Sequence, residues 1–132
     1  MVNMKKLNKF YIAIITLLIF PTVGISQNHD DCLDRASTTI SMRSCLAKEL
    51  NAYNEQLSVN YERLHKSLTS KDQENFKKTQ KIWLQFREAE CDFSAFSEQP
   101  GTIAPLIITS CYIDMTKERI KQLKAYINQN KN

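Results

Sequence analysis

The sequence predicts a small all-α domain, a disulfide-stapled bundle in which a long antiparallel hairpin is joined by a third main helix. Apolar residues recur at intervals of three and four along three long segments, which matches the 3.6-residue turn of an α-helix. No segment alternates with the two-residue period of a strand. Four cysteines, Cys32, Cys45, Cys91 and Cys111, are available for covalent links between the helices.

The first 26 residues are predicted to be a secretory signal peptide. Lysines precede an uncharged run from Phe10 to Phe20, which is too short for a membrane span of about 20 residues. Pro21 ends the run, and Gly24 and Ser26 supply the small residues of a cleavage site. An uncleaved anchor is the alternative. A single helical domain then occupies residues 27–132, with no membrane span after cleavage.

Removing the signal removes most of the positive charge. The chain has 18 lysine and arginine residues against 14 acidic residues, and three of the 18 lie in the signal, leaving 15 against 14. Nucleic-acid binding needs a basic face that displaces counterions from phosphates, and this domain is nearly neutral. We therefore expect no nucleic-acid partner.

The cysteines are expected to form two disulfides, because an even number in a small exported domain is typical of a disulfide framework. Four cysteines allow three pairings. We favour Cys32–Cys45 and Cys91–Cys111, since each pair brackets a local turn between helical segments. A zinc site is the alternative, which the lack of any CxxC spacing and an oxidising compartment disfavour.

The first long helix is expected to follow a short helical turn that carries Cys32. Thr38 can cap the helix through its hydroxyl oxygen. About 30 residues, or ~45 Å, are then helical, with no glycine or proline to interrupt them. The apolar stripe of this helix consists of Met42, Leu46, Leu50, Tyr53, Leu57, Tyr61, Leu64 and Leu68.

The second helix is expected to start at Ser70, which with Gln73 forms a capping-box pattern, and to run to about Phe96. Because the join after Leu68 is short, the first two helices must fold back antiparallel. A loop with the turn signal Pro100-Gly101 follows.

The third helix is expected to be capped by Thr102 and to accept Pro105 in its first turn. Its apolar positions are Ile108, Tyr112, Met115, Ile120, Leu123 and Ile127.

The second helix carries the most distinctive face of the chain, on which Gln80, Trp83, Arg87 and Cys91 fall together. Trp83 and Arg87 are four residues apart, so the guanidinium can lie against the indole. Phe86 and Phe93 are expected to add apolar bulk to this helix.

Two arginines lie within apolar helical stripes, Arg87 on the second helix and Arg119 on the third. We expect each to tie helices together through a carboxylate or a carbonyl. A recognition arginine at a groove is the alternative.

No constellation for catalysis is visible. The only histidines are His29, in the polar start, and His65, on a charged helix face, and the cysteines are expected to be oxidised. Two glycines are too few for a phosphate-binding loop. Glu88 and Glu90 flank Arg87 and are interpreted as a surface salt-bridge face, not as a glycosidase pair. We expect a protein that is not an enzyme and that uses neither a cofactor nor a metal.

The cysteines and the helical residues described above, taken in order along the chain, resemble the pattern of the LprI-like lysozyme inhibitor family over roughly Cys32 to Leu123. Two positions depart from the family pattern: Asn54 replaces the usual Asp, and Ser58 the usual Asn. The matching residues are Cys32, Met42, Cys45, Leu57, Tyr61, Leu64, Gln80, Trp83, Phe86, Arg87, Glu88, Cys91, Cys111, Thr116, Arg119 and Leu123.

The resemblance implies a periplasmic or secreted helical domain whose partner is a protein, lysozyme. The signature residues other than the cysteines are expected to be structural, namely Gln80, Trp83, Phe86, Arg87, Thr116 and Arg119. The alternative is a cell-envelope structural or protein-interaction module with an unknown protein partner. A peptidoglycan hydrolase is disfavoured by the missing acid–base groups. The oligomeric state is left open.

Two surfaces are candidates for contact with the partner, because animal lysozymes are often strongly basic and an inhibitor gains from an acidic surface or a protruding loop. One is the acidic start with Asp30, Asp31 and Asp34, for which helix N-terminal charge complementarity and metal binding are the competing interpretations. The other is the loop from Ser97 to Thr102, which carries Glu98.

Overall fold

The computed structural model describes residues 30–130, and every regular element in that range is a helix. The elements are α1 (Asp30–Asp34), α2 (Thr39–Ser67), α3 (Ser70–Ser94), a 3₁₀ turn (Phe96–Glu98) and α4 (Ala104–Gln129). The prediction of an all-α bundle with three long helices is therefore confirmed. The proposed signal peptide, residues 1–26, and His29 lie outside the described residues.

Helix α2 begins where the sequence predicts. Thr38 Oγ1 accepts a hydrogen bond from the Ser41 N–H at 3.1 Å, and Ser41 Oγ accepts one from the Thr38 N–H at 3.1 Å. This reciprocal capping box satisfies two backbone donors at the start of the helix. The predicted apolar stripe faces inward, with Leu46, Leu57 and Leu64 buried.

The junction between α2 and α3 differs in detail from the prediction. Thr69, not Ser70, caps α3 by accepting from the Asp72 N–H at 3.4 Å. Gln73 instead donates through Nε2 to the carbonyls of His65 and Leu68, at 2.9 and 3.3 Å, and so satisfies acceptors at the end of α2. Two residues join the helices, and α3 folds back antiparallel to α2.

Helix α4 runs parallel to α2 and antiparallel to α3. Glu49 pairs with Lys117 at 3.2 Å, and further along both helices Asn130 Nδ2 donates to the Ser67 carbonyl at 2.9 Å. The backbones of α2 and α4 approach each other more closely than either approaches α3. Long side chains of α3 therefore fill the wider gap between α3 and the α2–α4 pair.

A second predicted cap, at the start of α4, is wrong. Ile103 occupies the cap position without a side-chain hydrogen bond, so Thr102 does not cap the helix. Pro105 lies in the first turn as expected, where its missing N–H costs nothing.

The apolar core lies in the half of the bundle nearer the α2–α3 turn. Tyr61 stacks on Phe76 there, with ring centres 4.9 Å apart. The buried members of the core are Leu57, Leu64, Phe76, Ile120, Leu123 and Ile127.

Two disulfides hold the opposite end of the bundle. Cys32–Cys45 links α1 to α2, and Cys91–Cys111 links the last turns of α3 to α4. These are the pairs favoured from the sequence, and no free cysteine remains among the described residues. A domain of this size has a limited core, so the covalent links add stability at this end of the bundle, where Leu46, Ala95 and Ala104 are also buried.

We expect the Cys91→Ala/Cys111→Ala double variant to lose about 3 kcal/mol of unfolding free energy, the chain-entropy value for a loop of about 20 residues. Cys32→Ala/Cys45→Ala should cost less, because the loop is shorter and α1 is a single turn. Denaturant unfolding followed by circular dichroism measures both. An unchanged unfolding midpoint in the first variant would contradict the role given to this link.

Candidate functional site

A layer of polar side chains crosses the bundle between the apolar core and the disulfide end. All three long helices contribute to it, and most of its members are buried or half-buried. We define the polar layer as Glu49, Tyr53 and Asn54 on α2, Gln80, Trp83 and Arg87 on α3, and Tyr112, Thr116, Lys117 and Arg119 on α4.

Arg87 connects all three helices through one guanidinium nitrogen. Its Nη1 donates to Thr116 Oγ1 at 2.7 Å and to Asn54 Oδ1 at 3.3 Å. Thr116 passes the hydrogen bond on by donating to the Tyr112 carbonyl at 2.6 Å. Asn54 is one of the two departures from the family pattern, so Arg87 meets a neutral amide where an Asp would offer a carboxylate. Ser58, the other departure, is exposed on the next turn of α2.

Arg119 lies deeper, with 6% of its surface exposed. Its Nε donates to Gln80 Oε1 at 3.0 Å, and its Nη1 donates to Gln122 Oε1 at 3.0 Å. Burial lowers the pKa of both Arg119 and Arg87, although an arginine in a protein stays protonated. Two positive charges are thus held inside the bundle by uncharged acceptors.

Trp83 contacts both arginines. The guanidinium carbons of Arg87 and Arg119 are 5.0 and 5.5 Å from the centre of the indole, and Arg87 also lies 5.1 Å from the Tyr112 ring. A desolvated cation–π contact is worth about 2 kcal/mol. Among the described residues Arg87 Nε and Arg119 Nη2 have no hydrogen-bond partner, which costs about 1–3 kcal/mol each. The two contacts with the indole therefore offset the cost of leaving these two nitrogens without partners, because both free energies are of similar size.

A third cation completes the layer. Lys117 Nζ is 3.2 Å from Glu49 Oε1 and 4.9 Å from the centre of the Tyr53 ring. Burial alone would lower the pKa of Lys117, but the hydrogen bond to Glu49 and its negative charge outweigh burial, and the pKa is raised. The Lys117 ammonium therefore stays charged while it ties α4 to α2.

The structure brings together five of the six signature residues, Gln80, Trp83, Arg87, Thr116 and Arg119. Both arginines tie helices through amide and hydroxyl oxygens, and aromatic rings cover their faces. The geometry favours the structural interpretation of Arg87 and Arg119 over a recognition role at a groove.

Phe86 does not join the polar layer, and the expectation that it is structural is wrong. It is 55% exposed, and Phe93, expected to add bulk to the same helix, is 66% exposed. One helical position turns a side chain by about 100°, so Phe86 lies off the inward face that Arg87 occupies. An apolar residue in a helix indicates burial only when its position shares the buried face.

The acidic residues expected to pair on the surface do not do so. Glu88 and Glu90 are exposed and make no ion pair with any residue in 30–130, because Arg87 points inward. His65, expected to be solvated, is partly buried and stacks on Tyr61 with ring centres 5.8 Å apart.

The two candidate partner-binding segments lie at the disulfide end of the bundle. Asp30 begins α1, Asp34 is exposed, and Asp31 is exposed beside Arg35 at 3.4 Å. Glu98 ends the 3₁₀ turn between α3 and α4, and it is exposed. Because α2 and α4 run parallel, their first turns, and the segments that precede them, lie at the same end of the molecule.

Residues 30–130 offer no group of three or more His, Cys, Asp or Glu side chains arranged to hold a metal ion. Within the same range, every helix is too short or too polar to cross a membrane.

Comparison with known proteins identifies one family. The family model described as Lysozyme inhibitor LprI matches residues 31–123, which include both disulfides and the whole polar layer. The chain is also similar to an uncharacterized protein of Rhizobium meliloti (strain 1021), with 21% identity over 119 residues that cover 80% of this chain and 85% of that protein. No solved structure matches the chain significantly.

We expect Trp83→Ala to cost about 3–5 kcal/mol of unfolding free energy, because it opens a cavity and uncovers two buried guanidiniums. The neighbouring residue provides a matched control: Ile82 is 54% exposed, and Ile82→Ala should change stability by about 0.5 kcal/mol or less. Denaturant unfolding of both variants measures the difference. A loss below about 1 kcal/mol for Trp83→Ala would show that the indole does not hold the layer together.

Proposed function

Because the chain belongs to the lysozyme inhibitor LprI family, we propose that it is an exported, non-enzymatic protein that binds lysozyme and inhibits it by covering the substrate cleft. The observation that carries this proposal is the family match over residues 31–123, from α1 to the second half of α4. That span is nearly the entire described bundle. Covering the cleft is the simplest way for a protein without a cofactor or a reaction of its own to stop an enzyme.

The polar layer is an unsuitable contact surface for lysozyme. Its arginines lie against Trp83 and Tyr112, and their hydrogen-bonding nitrogens face neighbouring helices. Opening the layer would expose two buried charges and break the ties between helices. The inhibitory contact is therefore expected on the outer surface, with the layer fixing the shape of the bundle beneath it.

The disulfide end supports the proposal of cleft covering because it carries a shaped, exposed segment. Residues 96–103 are all exposed, and they connect α3 to α4 through the 3₁₀ turn and the Pro100-Gly101 turn. The Gly101 N–H donates to the Glu98 carbonyl at 2.6 Å, and a Cβ on Gly101 would lie 2.5 Å from that oxygen. Glycine is thus required for this tight turn.

The anchoring of this segment favours binding. The Cys91–Cys111 link joins α3 and α4 close to both ends of the segment. A loop held by a rigid scaffold loses less conformational entropy when it binds, so more of the contact energy contributes to affinity.

The candidate acidic residues contribute charge complementarity to this proposal. Asp31, Asp34 and Glu98 are exposed at one end of the molecule, where they can face a basic lysozyme, and α1 begins with Asp30 at the same end. Such charges raise the association rate and specificity more than the affinity itself.

A cell-envelope interaction module with another protein partner is the alternative function. The exposed phenylalanines of α3 favour a protein partner of some kind, because exposed aromatic groups are typical of the centres of interfaces. The same experiment separates the two functions.

We expect the purified, oxidised protein to bind a c-type or a g-type lysozyme saturably, with a matching loss of cell-wall lysis. Calorimetry measures the binding, and turbidity of a cell-wall suspension measures the lysis. Binding without loss of lysis would contradict cleft covering, and binding to neither enzyme would favour the alternative partner. Release of cell-wall fragments by this protein alone would overturn the assignment as a non-enzymatic inhibitor.

We expect Glu98→Lys to weaken inhibition, because it places a positive charge on the exposed segment that faces a basic enzyme. Glu74→Lys is the matched control, since Glu74 is also exposed but lies at the start of α3, near the other end of the bundle. Inhibition constants at low and physiological salt measure both variants, since salt screens charge attraction. Equal inhibition by Glu98→Lys and wild type would remove this carboxylate from the contact.

A further inference from the structure

The outer side of α3 carries a row of exposed apolar side chains that continues into the 3₁₀ turn. We call it the aromatic stripe and define it as Ile82, Phe86, Phe93 and Phe96, which are 54%, 55%, 66% and 67% exposed. Ile82, Phe86 and Phe93 share one helical face because they are four and seven residues apart. Phe93 stacks on Phe96 with ring centres 5.1 Å apart.

The stripe is large for a feature without a partner. A phenylalanine offers about 200 Å² of surface, so three rings exposed by more than half present about 400 Å². Patches of this size on monomeric proteins are often functional. Exposing the stripe to water adds nothing to the stability of the fold.

The stretch of chain that carries the aromatic stripe is rich in carboxylates. Residues 82–103 contain four acidic side chains and one basic side chain, Arg87, whose guanidinium is directed inward to Thr116. The four are Glu88, Glu90, Asp92 and Glu98, and none of them makes an ion pair with a described residue. The first half of α3, by contrast, carries four lysines and two carboxylates in residues 70–81.

We propose that the aromatic stripe and its four carboxylates form the surface that contacts lysozyme. This proposal rests on the proposed function and names the surface that performs it. The carboxylates form a rim that complements a basic enzyme. The stacked Phe93 and Phe96 form an apolar centre, the arrangement that concentrates binding energy in interfaces. Lysozyme holds its catalytic acid in an apolar pocket of the cleft, and aromatic rings can fill such a pocket.

A second copy of this chain fits the surface less well. The stripe alone supplies about half of the roughly 800 Å² that a stable protein–protein interface buries on each partner, so any partner must reach the acidic residues near it. A two-fold packing of the Phe93–Phe96 pairs would also bring Glu90, Asp92 and Glu98 against their own copies, where like charges repel. An anionic lipid surface is repelled by the same carboxylates.

The rigidity of the surface favours its use in binding. The disulfide at Cys91 lies in the turn between Phe86 and Phe93, and Cys91 is fully buried. The stripe is therefore presented on an anchored helix and needs little ordering when a partner binds.

The test compares the oxidised wild-type protein with Phe93→Ser/Phe96→Ser. Both residues are exposed near the end of α3, so circular dichroism and the melting temperature should be unchanged. We expect the affinity for the lysozyme that the wild-type protein binds to fall by about tenfold or more, with a parallel loss of inhibition. Val59→Ser is the matched control, because Val59 is 58% exposed on α2 and should leave affinity unchanged.

A second pair of variants tests the rim. Glu90→Lys/Asp92→Lys should weaken binding and reduce its salt dependence, while Glu74→Lys should do neither. Calorimetry at two salt concentrations measures both variants.

Each outcome separates this proposal from the proposed function. Wild-type inhibition with full affinity in both double variants would overturn the surface while leaving the function in place. No inhibition by the wild-type protein would overturn the function itself, and this surface with it. If Phe93→Ser/Phe96→Ser converted a dimer to a monomer in sedimentation without changing lysozyme affinity, a second copy would be the occupant and the proposal would be wrong.

Discussion

The contact of the Trp83 indole with the guanidiniums of Arg87 and Arg119 is the interaction on which the packing of α3 depends. It lies where α2, α3 and α4 meet, and the hydrogen bonds of both arginines radiate from it to all three helices. No carboxylate neutralises these arginines within the described residues, so the ring and the neutral oxygens carry the cost of burying two charges. Beyond the layer, the Cys91–Cys111 link and the buried Leu46, Ala95 and Ala104 hold the end of the bundle.

This arrangement fixes which side of α3 faces the bundle. A helix usually turns its most apolar face inward, yet α3 buries Gln80 and half-buries Arg87 while Phe86 and Phe93 face solvent. The inward face is chosen by specific partners, Thr116, Asn54 and Arg119, which satisfy the polar groups of Arg87 and Gln80. The aromatic side that remains outside is a direct consequence of that choice.

The sequence predicts the parts of this fold that repeat a pattern over many residues. Apolar residues recur along nearly all of the 29-residue α2, so the helix, its Thr38 cap and the fold-back after Leu68 could all be predicted. The Thr69 cap could not, because the adjacent hydroxyl residues Thr69 and Ser70 are equivalent until the backbone turn is known. The start of α4 at Ile103 could not either, because Ile103 makes no side-chain capping hydrogen bond that a sequence pattern could indicate. The exposure of Phe86 could not be predicted either, since burial of Arg87 depends on contacts from helices distant in sequence. A second row of apolar residues along α3 was the available signal.

The residues that define the fold are different from those that can define the partner. Five signature residues lie inside the polar layer, where each contacts a neighbouring helix. The outer side of the second half of α3 has no such structural role, because its phenylalanines contact water and its carboxylates have no ion-pair partner among the described residues. Exposed aromatic rings cost solubility and give the isolated fold nothing in return. Their presence on the anchored end of the bundle is therefore explained best by a partner that covers them.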